Sequence, residues 1–249
     1  MIFRQLFEPI SSTYTYLLGC EDTRQAILID PVVPTMARDL ALINDLGLTL
    51  SMTAETHVHA DHITAALHLR EKIACQIAFP APDNLSCADI QIADRVPLEI
   101  GNIRLQPLFT PGHTDDHFCF LIDDKLFTGD CLLIDGCGRT DFQNGDAVQL
   151  FRSISEILYT LPNETLVYPG HDYEGRFVSS IGQEKTRNKR ITASTSEAEF
   201  VHTMANLNLA HPNFIEYAVP DNLLCGECPT DLPEQLEKYC QQMSDSPQG

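Results

Sequence analysis

The segment 56–62, Thr-His-Val-His-Ala-Asp-His, places four potential metal ligands close together: His57, His59, Asp61 and His62. Side chains of an extended chain alternate with period two, so His57 and His59 can project to the same side. We predict that Asp61 and His62 stand at the start of the next helix and face the same centre from another direction. Imidazole nitrogen and carboxylate oxygen suit zinc, iron or manganese. The spacing therefore favours a metal site over the alternative, a solvated, histidine-rich helix start.

Three later residues of ligand type occur singly, each directly after a glycine and shortly after a predicted strand: His113, Asp130 and His171. Glycine allows a tight backbone turn, and a rigid sheet can aim side chains from several loops at one point. We therefore expect these three residues to join the first segment at one centre. The histidines that lack this context are interpreted as structural or solvent-exposed: His68, His117, His202 and His211.

The elements that must position these residues follow from the apolar patterning. Short apolar runs bounded by turn residues predict strands at 14–18, 26–29, 48–54, within 96–109, and at 118–124, 125–128 and 165–168. Apolar residues at helical spacing predict helices at 36–46, 63–74, 147–161 and 197–207. Strands and helices interleave without a linker or repeat. We therefore predict one α/β domain over residues 1–243, with a disordered tail at 244–249.

The composition argues against several partners. The 16 Lys and Arg residues are scattered and outnumbered by 35 Asp and Glu, giving a formal net charge of -19. Because phosphates are neutralised by clustered cations, no nucleic-acid partner is expected. No apolar run approaches the roughly 18 residues of a membrane span, so no membrane partner is expected. Residues 1–9 resemble neither a signal peptide nor a transit peptide, and we expect a cytoplasmic location.

The nine cysteines form an odd number without the spacing of a small disulfide-rich domain. We interpret them as reduced thiols. Cys119 and Cys131 lie in apolar, strand-like runs and are predicted core residues. Cys225 and Cys228 form an isolated CxxC, but no second pair completes a zinc site. The role of this pair stays open, and one hypothesis is that it belongs to a non-catalytic binding protein.

The ligand-type residues, taken in order, resemble the metallo-β-lactamase superfamily. This resemblance implies a metallo-β-lactamase fold, a four-layer αββα sandwich with the metal site at one edge of the paired sheets. The seven residues alone suggest a two-metal hydrolase similar to glyoxalase II, which would activate water for attack on a glutathione thioester. In that hypothesis one metal is held by His57, His59 and His113. The second metal is held by Asp61, His62 and His171, and Asp130 bridges the two metals.

The flanking segments instead resemble the persulfide dioxygenases, also called sulfur dioxygenases. The similar segments extend over nearly the whole chain, at residues 7–10, 13–18, 59–64, 128–130, 136–143, 168–173, 206–209, 218–220 and 225–226. Glyoxalase II typically has an aromatic pair after the Arg of its GCGR segment and a basic C-terminal helix. Here Thr140 and Asp141 follow Arg139, and the C-terminal region is acidic.

This second resemblance implies one Fe(II) per chain, held by His57, His113 and Asp130. Such a 2-His-1-carboxylate triad leaves coordination positions open for substrate and O₂. The implied reaction oxidises glutathione persulfide with O₂ and water to sulfite and glutathione. The remaining ligand-type residues would orient the ligands and bound water by hydrogen bonds: His59, Asp61, His62 and His171.

The resemblance also bears on the substrate pocket. Arg139 and Tyr173 are candidates for holding the glutathione moiety, because Arg suits bidentate carboxylate recognition and Tyr a directed hydrogen bond; for Arg139 the alternative is a surface ion pair. Homodimers are common among similar proteins.

One departure from the family pattern concerns the loop after Thr114, where the family usually has a Pro-Gly turn. Here Asp115, Asp116 and His117 follow, which alters the expected pocket width or substrate preference. We expect His117 to be exposed; the alternative is that it adds a polar group to the pocket.

Overall fold

A computed structural model describes residues 1–212 and 214–242. The tail predicted at 244–249 lies outside the described residues. The first half of the chain forms six strands: β1 Ile2–Glu8, β2 Thr13–Gly19, β3 Gln25–Ile29, β4 Thr49–Ala54, β5 Gln76–Pro80 and β6 Ile90–Ile92. The second half forms six more: β7 Leu98–Ile100, β8 Ile103–Phe109, β9 Phe118–Ile122, β10 Lys125–Gly129, β11 Leu166–Pro169 and β12 Ser179–Ser180.

The described residues also form six α-helices: α1 Met36–Asp45, α2 Ala66–Ile73, α3 Ala147–Arg152, α4 Ile181–Arg187, α5 Glu197–Ala205 and α6 Ile215–Asn222. Short 3-10 helices occur at Val33–Thr35, Ala81–Asp83, Leu158–Thr160 and Glu234–Tyr239. Across the described ranges, every helix falls short of the length and apolar character needed to span a bilayer.

The strands build two mixed sheets, one from each half of the chain. Strands β1 to β6 form the first sheet in sequence order, and β7 to β12 form the second, also in order. In the first sheet β3, β4, β5 and β6 run parallel to one another. Strand β2 runs antiparallel to both of its neighbours, β1 and β3. In the second sheet only β10 and β11 pair in parallel. Parallel strands leave their carboxyl ends at one edge, where loops can carry a site.

Alternation along the strands explains the layers. In β2, Tyr16 packs between the two sheets while Leu17 faces the outer helices. In β9, Phe120 packs between the sheets while Cys119 faces the helices on the opposite side. Both strands are apolar on both faces because each is covered by a sheet on one side and by helices on the other. The predicted four-layer αββα sandwich is confirmed.

Each outer layer is held by an apolar helix face. Met36 and Ile43 of α1 pack with Leu69 of α2 against the first sheet. Leu150 of α3 and Phe200 of α5 pack together against the second sheet. These five side chains are all at most 4% exposed. The predicted helices at 36–46 and 197–207 are confirmed with ends shifted by one or two residues.

Two helix predictions need correction. The helix expected from residue 63 begins only at Ala66, so Asp61 and His62 lie in the preceding loop. There the backbone bonds across to the 31–33 segment, because Val33 N donates to Ile63 O and Ala65 N donates to Pro31 O. The helix expected over 147–161 is α-helical only as far as Arg152. It continues as a π-helical turn at Ser153–Ile157 and then as a 3-10 turn.

The prediction that all cysteines are reduced is wrong for one pair. Cys87 and Cys225 form a disulfide across 138 residues of sequence. The CxxC spacing carried no information about it, because Cys225 pairs with a distant loop and not with Cys228. Cys119 and Cys131 are fully buried free thiols in the core, as predicted.

Candidate metal centre and substrate pocket

The four loops that carry the predicted ligands meet where the two sheets join. His57 follows β4 of the first sheet, whereas His113, Asp130 and His171 follow β8, β10 and β11 of the second. The sheets are connected at this edge by a backbone hydrogen bond of 2.8 Å from Tyr14 N to the Gly170 carbonyl. The predicted placement of His57, His113, Asp130 and His171 in loops after strands is therefore confirmed.

Glycine explains how the backbones come so close. Gly129, directly before Asp130, has φ +45°, and a Cβ there would lie 2.7 Å from His117 Nε2. Gly112, directly before His113, has φ +135°, and a Cβ there would lie 2.2 Å from the Leu150 backbone nitrogen. A larger residue at either position would strain the backbone and displace a neighbour.

Three donors form the group best suited to one metal ion. Ligand atoms of His57, His113 and Asp130 all lie within 4.8 Å of one another. His113 Nε2 lies 3.6 Å from Asp130 Oδ2. Two neighbouring ligands at metal bonds of ~2.1 Å would lie about 3 Å apart. The side chains would therefore have to close in by at least about half an ångström around a metal ion, and the donor set is that of a 2-His-1-carboxylate site.

The proton positions of both imidazoles favour metal binding. His113 Nδ1 lies 2.7 Å from the Arg139 carbonyl oxygen. Since a carbonyl can only accept, Nδ1 carries the proton, and the lone pair of Nε2 is free to face Asp130. For His57, Nδ1 lies 2.9 Å from Thr56 Oγ1, and that hydroxyl donates its own proton to Asp30 Oδ2 at 3.0 Å. His57 Nδ1 must therefore donate, which leaves its Nε2 lone pair free as well.

Electrostatics keep this triad in the right charge state. Burial, reinforced by the neighbouring imidazoles, holds the pKa of His57 well below its usual value, so the ring is neutral. Burial alone would raise the pKa of Asp130, but the adjacent His171 outweighs it and holds this pKa below the usual value. The centre thus offers a neutral imidazole on His57 and a carboxylate on Asp130.

The other predicted ligand-type histidines have their ring nitrogens directed at carboxylates. His171 Nδ1 lies 2.7 Å from Asp130 Oδ1, and its Nε2 lies 2.7 Å from Asp61 Oδ2. His59 Nε2 lies 3.1 Å from Asp30 Oδ1. Burial would lower the pKa of His171 and of His59, but these carboxylates outweigh it and raise both well above the usual value. Nitrogens that carry protons toward carboxylates cannot also bind a metal.

A second metal would need nitrogens that remain free. His59 Nδ1 and His62 Nε2 are buried and have no hydrogen-bond partner among the described residues. His59, Asp61 and His62 do form a second group of mutually close donors. The site therefore brings together all seven predicted residues, but only the triad has its lone pairs prepared on every member.

Sequence reasoning missed the residues that hold these rings in place. Asp30 accepts from Thr56 N at 2.7 Å and from the Thr56 hydroxyl, and it also bonds His59. Asn222 of α6 donates to the carbonyls of His59 and His62 at 2.9 and 2.8 Å. Asp30 could have been found, because it ends an apolar strand as Asp130 does. Asn222 lies 160 residues from His62, and no local signal marks it.

The prediction that His117 is exposed is wrong. Its side chain is fully buried, its Nε2 accepts the Asp130 backbone N–H at 3.1 Å, and its Nδ1 lies 3.1 Å from Thr110 Oγ1. Its ring stacks on His57 with centroids 5.0 Å apart. Burial lowers the pKa of His117 to about 3, so the neutral ring can serve as this acceptor.

The loop that departs from the family pattern is tied down on both sides. Asp116 is buried and accepts the Val58 backbone N–H at 2.7 Å, between His57 and His59. Asp115 accepts from Asn144 Nδ2 at 2.9 Å. This loop therefore contacts the metal-ligand segment directly instead of projecting into solvent.

A cavity of about 520 Å³ opens onto the triad. Leu209 and Pro212 supply apolar wall, and Arg139, Tyr173 and Arg190 supply polar groups. The Arg139 guanidinium is already paired with both Asp141 carboxylate oxygens at 2.6 and 2.7 Å and donates to Ala210 O. Tyr173 is 75% exposed and its ring stacks on His171.

Comparisons with known proteins agree with this geometry. The profile of the metallo-beta-lactamase superfamily matches residues 10–171. The mitochondrial persulfide dioxygenase ETHE1 of Homo sapiens is 46% identical over 229 residues, which cover 91% of this chain and 89% of the human protein. The crystal structure of ETHE1 from Myxococcus xanthus superimposes with a TM-score of 0.89 at 53% identity, covering 91% of this chain and all (100%) of that one.

A metallo-beta-lactamase structure from Staphylococcus aureus is more distant. Its TM-score is 0.81 at 29% identity, over 90% of this chain and 71% of that one. The chain belongs to the metallo-beta-lactamase superfamily and, within it, to the persulfide dioxygenase family.

Proposed function

We propose that this protein is an Fe(II)-dependent persulfide dioxygenase that oxidises glutathione persulfide with O₂ and water to sulfite and glutathione. The observation that carries the proposal is the triad of His57, His113 and Asp130, in which both imidazoles have their Nε2 lone pairs free beside one carboxylate. Membership of the persulfide dioxygenase family supports the same reaction.

The three residues would hold one iron per chain. When bound, iron in such a site supplies open coordination positions and the electrons needed to activate O₂. The protein's own contribution is to fix the donors before the metal arrives. The Arg139 carbonyl holds His113, and Asp30 holds His57 through the Thr56 hydroxyl. Because these contacts set the tautomers, the rings need little reorganisation on metal binding.

The cavity suits a substrate with a reactive sulfur at one end and carboxylates at the other. Leu209 and Pro212 give this cavity an apolar wall beside the triad. Arg139 and Arg190 lie in the cavity wall as cations for the glutathione carboxylates. The exposed Tyr173 hydroxyl can donate to the peptide backbone of the substrate. The persulfide sulfur would then point toward His57, His113 and Asp130.

The proposed reaction balances without a further reductant. Glutathione persulfide, O₂ and water give glutathione and sulfurous acid, which ionises to sulfite. The S–S bond breaks, the glutathione sulfur leaves as a thiol, and the terminal sulfur is oxidised by O₂. Two of the oxygens in the sulfite come from O₂ and one from water.

A two-metal thioester hydrolase is the competing function on the same fold. It would need His59 and His171 as ligands, but the observed rings direct Nε2 of His59 and both nitrogens of His171 at carboxylates. His59 could bind through its Nδ1, which is free among the described residues, but His171 would have to give up one of its two carboxylate contacts. Metal stoichiometry separates the two functions.

The test combines metal analysis with a gas-uptake assay. Protein purified without oxygen is analysed for metals by plasma emission and then supplied with glutathione persulfide in an oxygen electrode. We expect about one iron per chain and sulfite formation that matches O₂ uptake. Two zinc ions per chain, no O₂ uptake and cleavage of a glutathione thioester would show a hydrolase. Iron binding without turnover would instead support a sensor or carrier.

A further inference from the structure

Two free thiols and an imidazole lie together away from the cavity of the candidate metal centre. Cys228 and Cys240 are both partly exposed free cysteines. The Cys228 thiol lies beside the Cys240 thiol and the His68 side chain, and its sulfur is 4.0 Å from the Cys240 carbonyl oxygen. His68 Nε2 is buried and lacks a hydrogen-bond partner within the described ranges. The CxxC partner Cys225 takes no part, since its thiol is already in a disulfide.

The two chain segments that carry these thiols are anchored independently. The disulfide from Cys225 to Cys87 fixes the chain three residues before Cys228. Tyr239, next to Cys240, stacks on the buried ring of Phe214 with centroids 4.2 Å apart. The closeness of Cys228 and Cys240 therefore follows from packing on both sides.

The surroundings of Cys228 make it the more reactive thiol. The neighbouring Cys240 thiol and the His68 imidazole hold the pKa of Cys228 below that of a free cysteine. The same contact with Cys228 raises the pKa of Cys240. At neutral pH the thiolate, which is the attacking species in thiol–disulfide exchange, is therefore concentrated on Cys228.

A cavity of about 400 Å³ opens beside this thiol and is strongly acidic. Its wall includes Cys228 and four carboxylates: Glu216, Asp221, Glu227 and Asp231. No Lys or Arg lines it among the described residues. An anionic reagent such as glutathione disulfide would be repelled there, whereas a cationic disulfide would be concentrated.

We propose that Cys228 and Cys240 form a redox-active thiol pair, in which Cys228 attacks small cationic or uncharged disulfides and Cys240 resolves the product. In the first step the Cys228 thiolate attacks one sulfur of the small disulfide, which forms a mixed disulfide and releases one thiolate. In the second step Cys240 attacks Cys228 Sγ and gives its proton to the departing thiolate. Overall, one small disulfide is reduced to two thiols and the cysteine pair is oxidised to one disulfide.

The test compares three small disulfides on the metal-loaded, full-length protein without oxygen: cystamine, a dication; hydroxyethyl disulfide, uncharged; and glutathione disulfide, an anion. After an acid quench, the cysteines are mapped by peptide mass spectrometry. We expect a Cys228–Cys240 disulfide in the native protein, formed at least about tenfold faster with cystamine than with glutathione disulfide at low salt. The difference should shrink at high salt, because screening shortens the range of the carboxylate field.

Variants identify the role of each thiol. Cys240→Ser should retain a stable cystamine adduct on Cys228, and Cys228→Ser should show no adduct at either position. His68→Gln should move the pH midpoint of Cys228 alkylation upward, which a purely structural role of His68 would not do. Cys20→Ser is the matched control, since Cys20 is a buried thiol whose pKa is also lowered. It should leave the pattern unchanged.

Two results would overturn the proposal: first modification at a cysteine other than Cys228, or reaction of Cys228 no faster than in the unfolded chain. The rate comparison on the native protein stands even if a variant fails to fold. None of these readouts depends on iron or on O₂ uptake. Failure of the thiol-pair proposal can therefore be distinguished from failure of the dioxygenase proposal.

Discussion

Two pairs of histidines lie a few ångströms apart in this site and differ in the groups that their ring nitrogens contact. His57 and His113 donate from Nδ1 to a hydroxyl and a carbonyl, which leaves Nε2 free. His59 directs Nε2 at a carboxylate, and His171 directs both nitrogens at carboxylates. The rings are chemically identical, yet the first pair is prepared to bind a metal and the second to carry charge.

A ligand motif does not by itself define the set of residues that bind a metal. The spacing HxHxDH is compatible with one metal or with two, because it reports residue types and not proton positions. The contacts of the second nitrogen decide, and they come from residues far away in sequence such as Asp30 and the Arg139 backbone. Polar groups at the cavity rim differ in the same way. Tyr173 is exposed, whereas the Arg139 guanidinium is paired with Asp141.

The largest effect is expected where a prepared lone pair is removed. His113→Ala should abolish iron binding and O₂ uptake, since two ligands cannot complete the site. His202→Ala is the control, because His202 is exposed on α5. Metal analysis and the oxygen electrode measure both variants. Iron retained at one per chain in His113→Ala would show that the two pairs of histidines do not differ as described.

A smaller effect is expected from changing the group that sets the tautomer. In Asp30→Asn the amide can donate to the Thr56 hydroxyl, which can then donate to His57 Nδ1 and move the ring proton to Nε2. We expect iron affinity to fall about 10- to 100-fold, measured by competition with a chromophoric chelator. Asp39→Asn replaces another buried carboxylate, in α1, and should leave the affinity unchanged. Equal affinities in the two folded variants would contradict the role of Asp30.

At the rim, Arg139→Ala should raise KM for glutathione persulfide by roughly tenfold, because a charge-assisted contact is lost. The Arg139 carbonyl that holds His113 is unaffected by the change, so kcat and iron content should stay close to native. Asp141→Asn is the informative partner, since it frees the guanidinium from its ion pair and should lower KM. Steady-state kinetics at saturating O₂ measure both. An unchanged KM in Arg139→Ala would show that Arg139 forms a surface ion pair with Asp141 and does not bind the substrate.

The smallest effect is expected at Tyr173. Tyr173→Phe keeps the ring that stacks on His171 and removes one hydroxyl, so KM should rise only by a factor of about 3, or ~0.6 kcal/mol. Tyr217→Phe, on α6 beside the acidic cavity, is the matched control and should match the native enzyme. A fall in kcat without a change in KM would mean that Tyr173 acts through His171 and not on the substrate.

The architecture and the order of the ligand-type residues could be predicted from the sequence because both depend on local patterns. Strand alternation, helical spacing and the glycines before His113 and Asp130 are all visible within short windows. The ends of elements were less predictable. Residues 63–65 have helix-like composition, but tertiary bonds to Pro31 and Val33 hold them in a bridge.

The remaining features depend on contacts across long sequence separations. His117 looked like a surface residue, and only the position of Gly129 makes room for its buried contact with Asp130. The disulfide between Cys87 and Cys225 joins loops that the sequence gives no reason to pair. Polar residues whose partners are distant can be assigned only after folding has brought those partners together.

The hydrogen bond between Tyr14 and Gly170 has a thermodynamic consequence. It joins the two sheets at the same edge where β4 supplies His57 and the second sheet supplies His113 and Asp130. A bound ion would therefore cross-link the two halves of the chain, and opening of this edge would release it. Iron at a hundredfold excess over its Kd should stabilise the native state by about 2.7 kcal/mol. The Tyr14 amide should then exchange with solvent deuterium more slowly in the iron-loaded protein than in the metal-free protein, and its exchange should report directly on metal occupancy.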